Sequence, residues 1–73
     1  MNSINADKDK ILELKDGECY VVPQSDYDLA EIWLKSGTYF LFSIPMFGGD
    51  PQFEKAFGKN NIDDIIKEYE SWT

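Results

Sequence analysis

Leu29-Ala30-Glu31-Ile32-Trp33-Leu34-Lys35-Ser36-Gly37-Thr38-Tyr39-Phe40-Leu41-Phe42-Ser43-Ile44 is the stretch on which the fold turns. Two β-prone runs, Leu29 to Lys35 and Thr38 to Ile44, flank Ser36-Gly37. A two-residue loop at that point sets Leu34 against Tyr39, Trp33 against Phe40 and Ile32 against Leu41. Successive side chains of a strand point to opposite faces, so both faces of hairpin 29–45 carry large apolar groups. Such a hairpin belongs either to a sheet covered on both sides or to a sheet with one sticky, exposed side.

Upstream, Lys10 to Pro23 surrounds Asp16-Gly17, a dipeptide that readily takes the positive φ angles of a tight turn. A hairpin 10–23 is predicted, with Lys15 facing Glu18, Leu14 facing Cys19, Glu13 facing Tyr20 and Leu12 facing Val21. A short helix from Asn5 competes with it, with Asp7 and Asp9 near its start and Gly17 as its C-cap, so residues 6–15 are open between strand and helix. Pro23 to Asp28 reads as a polar connection.

Downstream, Pro45-Met46-Phe47-Gly48-Gly49-Asp50-Pro51 is a loop, and residues 52–57 form one more strand before Gly58-Lys59-Asn60 turns the chain. From Asn61 the period changes: Ile62, Ile65, Ile66, Tyr69 and Trp72 make the stripe of an amphipathic helix over 61–72. Asn61 is its expected N-cap, and Asp63 and Asp64 suit the positive end of the helix dipole. The predicted fold is α+β: an antiparallel sheet of four or five strands with this one C-terminal helix packed on one face.

All this lies within 73 residues, expected to form a single domain over 1–73. A chain this short buries only about 60% of the surface its unfolded form exposes, so its large apolar residues must share one core. With 42% hydrophobic and 15% aromatic residues it is too apolar for a disordered acidic tail. No apolar run approaches the roughly 20 residues of a membrane-spanning helix, and Met1 to Asp7 lacks the basic start and apolar core of a signal peptide. A cytoplasmic protein is expected. The enrichment in Phe, Tyr, Met, Ile, Asn and Lys, without a single arginine, is typical of AT-rich coding sequence and points to a low-GC bacterium or its phages.

The side chains argue against an enzyme. There is no histidine for acid–base, nucleophilic or transition-metal chemistry, and no arginine to clamp a phosphate. Gly48-Gly49-Asp50-Pro51 lacks the Gly-Lys-Ser/Thr ending of a phosphate loop. Cys19, the lone cysteine, has no base or positive neighbour close in sequence and reads as a small buried hydrophobe. Asp26 and Asp28 could hold a divalent ion, but their spacing alone is weak evidence, a role as turn residues outweighs it, and no calcium-loop pattern is present. No catalytic, metal or cofactor-binding residues are assigned.

Charge and aromatics carry the functional expectation. Fourteen acids against seven lysines give a net charge of -7, which disfavours direct nucleic-acid binding and favours a basic protein partner, or else serves solubility alone. Phe40, Phe42, Phe53, Phe57, Trp33, Tyr69 and Trp72 suit a core, yet one helix covers only one face of a sheet, so some must remain outside. Trp33, Met46 and Phe47 are the candidate contact residues, with Asp26, Asp28 and Asp50 as the charged rim. Met46 and Phe47 could instead fold back to plug the edge of the core.

Phe40-Leu41-Phe42-Ser43-Ile44-Pro45-Met46-Phe47-Gly48-Gly49, a following strand, and Ile62-Asp63-Asp64-Ile65-Ile66-Lys67-Glu68-Tyr69 together resemble the small β-β-β-α domain of HicB-type antitoxins. The resemblance covers residues 38–72. It implies a non-catalytic protein that occludes a small basic RNA-cleaving toxin. The chain departs from that pattern in lacking the second proline before glycine, in its extra N-terminal segment, and in having no DNA-binding tail after Trp72. The expected function is therefore a small acidic protein-binding module, an inhibitor or antitoxin-like regulator of a basic nucleic-acid-processing partner. The alternative is a self-associating structural module, such as a homodimer joined through the uncovered face.

Overall fold

Ser36 and Gly37 turn the chain with φ of 53° and 75°, both positive as a two-residue hairpin loop requires. They join β2 (Tyr27–Lys35) to β3 (Thr38–Ser43), and Leu34 stands opposite Tyr39, Trp33 opposite Phe40 and Ile32 opposite Leu41, the register the sequence predicts. The computed structural model describes residues 3–24 and 26–72. Around the central hairpin it adds α1 (Ser3–Leu12), β1 (Cys19–Gln24), β4 (Gln52–Gly58) and α2 (Ile62–Glu70). The four strands form an antiparallel sheet in the order β1-β2-β3-β4, so the fold is α+β.

Residues 10–23 do not form the predicted hairpin. Lys10, Ile11 and Leu12 end α1 instead, and β1 pairs with β2, setting Cys19 against Trp33, Tyr20 against Ile32 and Val22 against Ala30. As a helix the segment turns Ile11 fully inward and leaves Leu12 57% exposed, and it covers part of the sheet that α2 alone would leave bare. Asp16-Gly17 still turns the chain, but between helix and strand: the Ser36 N–H donates to the Asp16 carboxylate and the Gly17 N–H to the Leu34 carbonyl. The competing helical reading of this segment is the observed one, although it ends at Leu12 rather than at Gly17. Among the described residues there is no fifth strand.

The core lies between one face of the sheet and both helices. Val22, Ala30, Ile32, Leu34, Tyr39, Leu41 and Phe57 point to it from the strands, Ile11 from α1, and Ile62, Ile65, Ile66 and Tyr69 from α2. A bulge opposite Val22 and Pro23 leaves Leu29 as the extra residue of β2, packed beside Ala30 against the same core. The helix stripe matches the sequence, but Asn61 makes no side-chain cap, so the two first-turn aspartates are the charges at that terminus. Polar ties fasten α1. The Asp7 carboxylate accepts a hydrogen bond from the Tyr20 hydroxyl at 2.8 Å and another from the Tyr69 hydroxyl at 2.9 Å. The Tyr39 hydroxyl donates to the Ile11 carbonyl at 3.4 Å.

Candidate binding surface

With both helices on one side, the other side of the sheet has no covering layer among the described residues. Register places the side chains of that side in rows across the strands. Cys19, Trp33, Phe40 and Ala56 stand abreast, and Val21, Glu31, Phe42 and Phe53 form the next row. A second bulge, between the pairs Leu41–Lys55 and Phe42–Phe53, brings Phe53 onto this side, where its ring lies 5.7 Å from that of Phe42 and 6.3 Å from that of Phe40. Edge and tilted contacts of this kind hold the three rings as one platform. The Trp33 Nε1–H donates to Glu31 Oε1 at 3.0 Å, which fixes the indole while satisfying its polar atom.

Val21 and Trp33 are each 39% exposed and Phe53 is 55% exposed. Beside them lies a shallow hollow of about 290 Å³ bordered by Gly17, Trp33, Lys35, Phe40 and Phe42. Along β2 and β3 the charged residues of this face are Glu31 and Lys35, one of each sign on either side of Trp33, and Asp28, opposite Pro23 toward the start of β2. The acid excess of the chain therefore sits elsewhere, above all on the turns, the loops and α2. Cys19 borders the platform, and burial, followed by the nearby Glu31 charge, raises its thiol pKa. That direction holds the sulfur as thiol and makes it a poor nucleophile.

The candidate residues from the sequence divide between two places. Trp33 belongs to the platform. Asp26 lies in the β1–β2 turn, Asp28 near the start of β2, and Met46, Phe47 and Asp50 in the β3–β4 loop; all are exposed, Met46 to 60% and Phe47 to 97%. That turn and that loop share one end of the sheet, where the Ile44 N–H donates to the Leu29 carbonyl. Trp33 stands six residues along β2 from Tyr27, about 20 Å at 3.3 Å per residue, so the six candidates do not form one patch. Phe47 does not plug the core.

Phe40, Phe42 and Phe53, expected in the core, lie on the open face; Phe57 and Tyr69 are buried. The signal was available in the hairpin register, because Phe40 and Phe42 share the parity of Trp33. Among the described residues no group of three or more acidic or cysteine side chains is placed to hold a metal ion, and no helix is long and apolar enough to cross a membrane. No protein-family model, no curated protein and no solved structure matches the chain.

Proposed function

We propose that this protein is a non-enzymatic protein-binding module whose contact surface is the open face of the sheet. One observation carries the reading: Trp33, Phe40, Phe42, Phe53 and Val21 form a contiguous apolar platform, with both helices on the opposite side. Isolated apolar residues at a surface mean little, but a packed patch of aromatics is the composition of an interface core. The test compares what the tagged protein captures before and after Trp33→Ser and Phe53→Ser, in variants shown by thermal melting to remain folded. Capture lost in both supports the reading; capture unchanged in both counts against it.

A second reading follows from charge. Asp63, Asp64, Glu68 and Glu70 on α2 face a single lysine on that helix, Lys67, and Asp26, Asp28 and Asp50 add to the negative field. Such a surface attracts a basic partner, and the likeness of residues 38–72 to HicB-type domains would make that partner a nucleic-acid-processing protein held by an antitoxin-like regulator. Association that slows steeply with added salt is the expected signature. A salt-independent rate would remove the charge from the recognition.

A further inference from the structure

We propose that the occupant of the open sheet face is a second copy of this chain, joined face to face about a two-fold axis that runs along the row Cys19, Trp33, Phe40 and Ala56. The proposal rests on the reading of that face as the contact surface and names what covers it.

Charge points to a second copy rather than to a basic partner at this location. In a chain of net charge -7 the two rows flanking Trp33 present one acid and one base, Glu31 and Lys35, each two residues from Trp33 along β2, while Asp28, three residues beyond Glu31, lies outside the overlap. A two-fold axis through the Trp33 row, lying between the sheets and perpendicular to the strands, sets β2 antiparallel to its copy. It thereby brings Glu31 opposite the copy's lysine, and Lys35 opposite the copy's glutamate. Both charges are answered at once, as an isologous interface demands.

Shape follows the same operation. On one side of the axis the row is Val21, Glu31, Phe42 and Phe53; on the other it is Gly17, Lys35, Thr38 and Gly58. The rotation lays the large row over the small one, so that Phe42 meets the copy's threonine and Phe53 its glycine. The hollow of about 290 Å³ lies where the small row begins. Facing sheets cross at about 30°, so these matches are closest at the axis and loosen toward the edge strands.

Edge-to-edge pairing through β4 is a poorer alternative. Its central residues are Glu54 and Lys55, and a symmetric antiparallel pairing centred on either sets like charge against like. The face is also small: four strands at about 4.8 Å and about seven residues at 3.3 Å give a footprint of about 400 Å², below the roughly 800 Å² per partner of a standard interface. The dimer is accordingly a weak one, formed at micromolar concentration or above.

Sedimentation equilibrium of the parent, Glu31→Lys, Lys35→Glu and the double reversal, from micromolar to millimolar protein at physiological salt, tests the arrangement, with thermal melting of each as a control for folding. The expected result is a reversible dimer for the parent, at least about tenfold weaker association for each single reversal, and recovery to within about threefold in the double reversal. A parent that stays monomeric at millimolar concentration overturns the second copy, as does a dimer that both single reversals leave intact. The two proposals fail separately. If the parent is monomeric while Trp33→Ser and Phe53→Ser melt like it, the second copy is lost but the face remains a contact surface for another protein. If those variants unfold as monomers, the platform belongs to the fold and both proposals fall.

Discussion

Asp7 is the residue on which the N-terminal helix depends. Its two oxygens each accept from a tyrosine hydroxyl, one on β1 and one on α2, so a single carboxylate joins three elements. Asp7→Ala leaves the hydroxyls of buried Tyr69 and half-buried Tyr20 without their acceptor and should cost about 1–3 kcal/mol, read as a lower urea midpoint. The same cluster sets an alkaline limit. Burial, with the Asp7 hydrogen bond and charge, holds the Tyr20 and Tyr69 pKa values well above the ordinary 10, and burial alone raises that of Tyr39. A raised folded-state pKa means that stability is fully present below pH 10 and is lost as pH climbs above it, because the unfolded chain releases those protons first. Phenolate absorbance of these residues and loss of circular dichroism should therefore rise together above pH 10; ionisation that precedes unfolding would contradict the assignment. Phe47, at 97% exposure, makes the opposite case: Phe47→Ala should shift stability by no more than about 0.5 kcal/mol in a melting experiment.

Among the elements, α2 closes the core through Ile65 and Ile66, which are 0% and 2% exposed. Ile65→Ala or Ile66→Ala should cost about 2–5 kcal/mol, a large part of the stability of so small a domain, and calorimetry should find the transition lowered or gone. This element and the central hairpin were legible in the sequence for the same reason: the apolar period is long enough to choose between 3.6 and 2, and the loop of the hairpin has a length that fixes register. The segment before β1 was not. Asp16-Gly17 marks a turn without saying what precedes it, and the preference for a helix comes from a tertiary event, the insertion of Ile11 between the sheet and α2. The platform was half legible. Alternation showed that one face had to stay open, but Phe53 reaches that face through a bulge, and nothing in Gln52 to Phe57 announces one.

Across the whole molecule, acids outnumber lysines two to one, and cross-element ion pairs such as Lys8–Asp63 at 3.0 Å and Lys55–Glu68 at 3.9 Å are largely exposed to water and add little. Self-repulsion is the larger electrostatic effect. Raising sodium chloride should therefore raise the melting temperature by screening it, and a melting temperature that falls with salt would show that attractive pairs dominate.

The tie between Asp7 and Tyr69 spans 62 positions of sequence. On the ribosome that distance becomes a delay: at about 5–20 residues per second, about 3–12 s separate the synthesis of the two partners. A ten-residue helix is marginal by itself in water, so until α2 emerges α1 rests only on its ties to the sheet, from Tyr20 to Asp7 and from Tyr39 to the Ile11 carbonyl. Until then Ile32 and Leu41 lack their cover on one side of the sheet while Trp33 and Phe53 are bare on the other. A nascent chain paused before Ile65 thus exposes apolar side chains on both faces of its sheet.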